Sequence, residues 1–112
     1  MPKVAFDELV AFGTRLLTAV GASEPDARYM AERACTTEAG GVHTHGAVAL
    51  AAWASQVGEL IDASARPAVV NERPASALID GNRCFSALAM RLASDLAVEK
   101  ARACGVANVG VR

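Results

Sequence analysis

Apolar residues recur along the first third of the chain with the period of a helix. Phe6, Leu9, Val10, Gly13, Leu16, Leu17 and Val20 keep the three-four spacing of one helical face, and Gly21 marks the stop. The next segment, "SEPDA", reads as a fresh helix start, with Ser23 as cap, Pro25 in the first turn and Asp26 placed like the acid of a capping box. Ala27, Met30, Ala31, Ala34 and Cys35 form its narrow buried stripe, which Gly40 and Gly41 end. A third helix is predicted from Leu50, Trp53, Val57, Leu60 and Ile61 on one face, with Thr44 capping its N-terminus.

The period then changes. After the loop "ASARP", the short runs "AVVNE" and "SALID" are strand-like, split by Arg73-Pro74 and closed by Asp80-Gly81-Asn82, the pattern of an edge hairpin or an extended connection. Phe85, Leu88, Ala89, Leu92, Leu96 and Val98 open a long helix that stops at Gly105. The closing "VANVGVR" is mostly apolar and alternates poorly, as in a strand buried on both faces of a parallel sheet. Such a strand requires neighbours, and in the isolated chain it is expected to lack them. The resulting class is α/β. A helical segment over 1–62 is followed over 63–112 by a strand-helix-strand start of a sheet domain.

Composition narrows the function. Of the apolar 53%, 25 residues are alanine, so the core is light in large side chains. Eleven basic and twelve acidic residues are interspersed and leave a net charge of -1, which gives a polyanion such as nucleic acid nothing to grip. The aromatics Phe6, Phe12, Tyr29, Trp53 and Phe85 are scattered and form no stacking platform. No apolar run approaches the roughly 20 residues of a membrane span, and "MPKVAFDELV" lacks a signal-peptide core, so no membrane role and a cytoplasmic location are expected. Cys35, Cys84 and Cys104 have no pairing motif and suit reduced, mostly buried thiols.

The chemistry concentrates in "EAGGVHTHGAVAL". Cys35, Glu38, His43 and His45 are close enough in sequence to raise a small zinc site, but their spacing matches no Cys-x2-Cys or His-x3-His pattern, and no metal is expected. In a second reading Thr44 is a helix cap, Gly46 permits close packing and the histidines are merely solvated. A histidine at a helix mouth that lines a cleft would instead be a poised proton carrier. A non-catalytic helical module, binding a partner through its alanine-rich faces, is the competing class of function.

"GVHTHG", with the capped helix pair before it and "PASALIDGN" and "AVEKARACGVANVGVR" after it, resembles the N-terminal part of the malate/L-lactate dehydrogenase family, which is unrelated to the Rossmann-type enzymes of similar name. The resemblance runs nearly the whole chain, and Thr-His-Gly stands where the family typically has Ser-His-Gly. It implies NAD- or NADP-dependent interconversion of 2-oxo and 2-hydroxy acids by homodimers. It also implies His45 as the acid-base residue and Thr44 and Gly46 at the substrate. The family commonly has an acidic residue at the place of His43, an arginine at that of Ala49, and more glycine in "NRCFSA".

One helical turn after His45, that arginine would clamp a substrate carboxylate, a charged hydrogen bond of about 1.5–3 kcal/mol. Family members also continue past "VGVR" into an Asn-Ser-x-His region and the domain that holds most of the nicotinamide site. The chain is therefore expected to be an incomplete piece, inactive alone, that needs a complementary fragment or a homo-oligomer.

Overall fold

Four α-helices and a three-stranded sheet make up the α/β structure, a computed structural model that describes residues 2–112. They fall into two compact units, Met1–Ser64 and Ala65–Arg112.

The first unit is helical. In α1 (Phe6–Ala19) the predicted face holds from Leu9 onward, with Gly13 and Leu17 buried, but Phe6 at its head is 46% exposed. α2 (Glu24–Ala39) starts as its sequence dictates: Ser23 Oγ accepts from the Asp26 amide at 3.4 Å, and Pro25 occupies the first turn, where its missing N–H costs nothing. Ala27, Met30, Ala31, Ala34 and Cys35 are all buried, and with Leu17 they form the core between α1 and α2. Each large side chain here contributes about 1.5–3 kcal/mol by burial.

The third helix departs from expectation at both ends. His43–His45 form a separate 3₁₀ turn, and α3 covers only Val48–Gln56. Thr44 does not cap it: its hydroxyl turns to the His45 ring, and no side chain of the N-cap residue Ala47 serves either. At the other end Gly58 takes φ +93°, a conformation open to glycine, and breaks the periodicity that ran on through Val57, Leu60 and Ile61. Val57 and Ile61 pair in an isolated bridge around this bend, Ile61 is buried, and Leu60 is 66% exposed.

The second unit is a sheet with one helix. β1 (Ala68–Arg73) and β2 (Ser76–Asp80) are antiparallel around Pro74-Ala75, with a register irregularity between Val69 and Asn71. α4 (Ser86–Cys104) packs against β2 and β3 (Asn108–Val111) and ends at Gly105. β3 returns parallel to β2, so β2-α4-β3 is a βαβ unit and the order is β1-β2-β3.

The closing strand thus has a neighbour after all. The Asn108 and Arg112 amides donate to Ala75 and Ile79 carbonyls at 2.9 and 3.0 Å. Nor is it buried on both faces: as an edge strand it is half-buried at Val109 and Gly110 and exposed at both ends. The core lies under α4, where Ile79, Phe85, Leu88, Ala89 and Ala93 are buried, while Val98 is 51% exposed. Lys100 is buried instead, with Nζ donating to the Arg73 carbonyl at 2.7 Å and paired with Glu72 at 2.9 Å. All three cysteines are free thiols, but Cys104 is exposed.

Candidate functional site

Glu38, in the last turn of α2, organises the turn that follows it. Its Oε1 meets His43 Nδ1 at 2.5 Å, and its Oε2 accepts from the Ala47 amide at 2.9 Å. The carboxylate therefore caps α3 from nine residues upstream, the role expected of Thr44. An ionised carboxylate is the stronger capping group, since it accepts two charge-assisted bonds at a helix N-terminus. The Ala47 amide first, and then the His43 ring, hold the Glu38 carboxyl below its ordinary range against the opposing effect of desolvation.

Gly46 is the second requirement of this geometry. A Cβ there would overlap Glu38 Oε2 and come within 2.8 Å of the Glu38 Cα, so only glycine lets the turn sit on α2. Gly46 is buried, whereas His43, Thr44 and His45 are exposed.

Thr44 Oγ1 and His45 Nδ1 lie 2.9 Å apart. A hydroxyl donates or accepts, so this contact fits either protonation state of the ring. With imidazolium, Nδ1–H donates to Oγ1; after loss of the Nε2 proton the same Nδ1–H bond persists. His45 Nε2 has no hydrogen-bond partner among the described residues and is the nitrogen free to exchange a proton.

The candidates are thus brought together unequally. His43, Thr44, His45 and Gly46 share one turn with Glu38, but Cys35 does not join them. Among the described residues no group of three or more His, Cys, Asp or Glu side chains gathers to hold a metal ion. Burial, and then the Glu38 charge, push the Cys35 thiol up, away from the thiolate that zinc requires. Ala49 does not stand one helical turn beyond His45 either. Gly46, with φ -92° and ψ -128°, interrupts the helix between them, so His45 and Ala49 belong to different elements. Sequence spacing missed the role of Glu38, because no local capping pattern links it to Ala47.

Among the described residues no helix is long and apolar enough to cross a membrane. Residues 4–112 match the malate/L-lactate dehydrogenase family. The chain is 32% identical to a malate dehydrogenase of Pyrococcus abyssi over 111 residues, 98% of this chain and 31% of that protein. The structure of malate dehydrogenase from Pyrococcus horikoshii superposes with a TM-score of 0.89 at 28% identity, over 96% of this chain and 31% of that one. That of delta1-piperideine-2-carboxylate reductase from Pseudomonas syringae gives 0.86 at 26% identity, over 100% and 34%. The chain spans about a third of the length of the relatives it matches.

Proposed function

Because this chain belongs to the malate/L-lactate dehydrogenase family, we propose that it carries the proton-transfer part of an NAD(P)-dependent interconversion of 2-oxo and 2-hydroxy acids, with His45 as proton donor and acceptor. The observation that carries the reading is the Thr44–His45 contact at 2.9 Å, which holds Nδ1 and leaves Nε2 open. In reduction the His45 imidazolium gives its Nε2 proton to the substrate's carbonyl oxygen; in oxidation neutral Nε2 takes the hydroxyl proton back. A bound nicotinamide supplies or accepts the hydride at carbon. An exposed imidazole with one nitrogen held and the other open fits the proton partner of that exchange, and no residue of this chain is assigned to the cofactor itself.

Of the two substrate-contact candidates, exposed Thr44 keeps that role beside its hold on the ring. Gly46, buried against Glu38, serves to seat the turn. The 112 residues alone are proposed to be inactive, since hydride transfer needs cofactor and substrate held together. The cytoplasm and a homo-oligomer or complementary fragment complete the proposal.

A chimera tests it, with the remaining portion of a family relative fused after Arg112 and NADH and NADPH oxidation followed over a panel of 2-oxo acids. The chimera turns over and the unaided chain does not. Turnover by the unaided chain, or a chimera whose rate is indifferent to His45→Ala, contradicts the assignment.

A further inference from the structure

We propose that Glu38 is the positioning residue for His45, an inference that rests on the acid-base reading of that histidine. One carboxylate holds both ends of the segment that carries the ring: the His43 side chain before it and the Ala47 amide after it. Gly46 is glycine because the carboxylate fills the space beside it. His45 sits between these two anchors, and among the described residues its side-chain hydrogen bond goes to Thr44, its neighbour in the turn. The bond that ties the turn to α2 through side chains is therefore Glu38's, and loss of it frees the turn.

The arrangement also gives His43 a task. An ionised carboxylate only accepts, so His43 Nδ1 carries the proton in their contact. His43 acts as the donor that fixes Glu38 in the rotamer reaching Ala47, and touches no reacting atom.

The test is nuclear magnetic resonance of the 112-residue chain with ¹⁵N-labelled histidine rings, comparing wild type, Glu38→Gln and Glu38→Ala. In wild type the neutral His43 ring is the Nδ1–H tautomer and the Ala47 amide is protected from exchange. Glutamine offers one acceptor and one donor in place of two acceptors. With its oxygen on Ala47, its NH₂ forces His43 into the Nε2–H tautomer; with the amide reversed, Ala47 protection falls about tenfold or more. In both variants the His45 ring signals shift while the Leu17 and Met30 methyl signals hold. A merely structural contribution by Glu38 would not move a proton between ring nitrogens.

Survival of both the Nδ1–H signature and Ala47 protection in Glu38→Gln overturns the clamp. His45 signals that stay fixed while His43 responds overturn the positioning. Should alanine unfold the chain, glutamine decides by itself. None of these signals depends on turnover, so an inactive chimera bears on the acid-base reading of His45, whereas these spectra decide the Glu38 clamp and its hold on the His45 ring.

Discussion

The helical unit and the sheet unit are built from similar alanine-rich sequence, yet they close their cores differently. In Met1–Ser64 two helices, α2 capped by Ser23, bury five consecutive stripe positions of α2 against α1, and the cost of ordering is offset by local contacts. In Ala65–Arg112 the three strands depend on one helix, β1 is exposed along its length, and only Ile79 of β2 is fully buried. The lesson is that burial in the sheet unit comes from α4 and the Phe85 that precedes it, whereas the helical unit shares it among many small residues.

Core truncation breaks this comparison most strongly. Phe85→Ala removes the largest fully buried side chain and is expected to destabilise the second unit by about 3–5 kcal/mol, a large part of what a small domain has. Leu17→Ala in the first unit is expected to cost about 2–5 kcal/mol and less than Phe85→Ala, because it removes the smaller side chain and leaves the smaller cavity. Amide exchange, read separately in each unit, checks both. Equal losses would show that the two cores are not organised differently.

A smaller change sharpens it at the turn. Gly46→Ala places a methyl group into Glu38, and is expected to cost about 1–3 kcal/mol and to release the His43–His45 turn. Denaturant unfolding measures the cost. A neutral outcome would mean that the turn does not rest on α2.

Acid separates the units further, because each holds a carboxylate below its ordinary range. Glu38 is lowered by the Ala47 amide and then His43; Asp80 is lowered by the Asn82 amide and then Arg112, whose guanidinium lies 3.2 Å away. A lowered folded-state pKa means that the stabilisation is complete above the unfolded-state value and is lost as pH falls through the folded one. Stability is therefore expected to decline as pH drops below about 4.5 for Glu38 and 3.8 for Asp80, their ordinary values. Glu38→Gln should flatten the decline in the first unit and Asp80→Asn in the second. An unchanged acid profile in either variant argues against that carboxylate's contacts.

Much of this was legible before the structure. The α2 stripe and its Ser23 cap follow from local rules, since both depend on residues within a turn or two. The hairpin and the long helix are marked by Pro74 and Gly105 in the same way. What was not legible is non-local or accidental. Glu38 reaches Ala47 across two glycines and a 3₁₀ turn, a tertiary cap with no short-range signature. Val57, Leu60 and Ile61 continue a helical period that the backbone has already ended after Gln56, where Val57 is extended and Gly58 takes a positive φ. The apolar character of β3 pointed to burial, but burial needs partners on both faces, and here β2 supplies one edge and α4 one face.

In the proposed division of work between two histidines of one turn, His45 moves the proton and His43 holds Glu38. Steady-state kinetics of the chimera carrying His45→Ala or His43→Ala test it most directly. The expected fall in kcat is about 100- to 10,000-fold for His45→Ala and far less for His43→Ala. Equal losses, or a larger loss for His43→Ala, would contradict it.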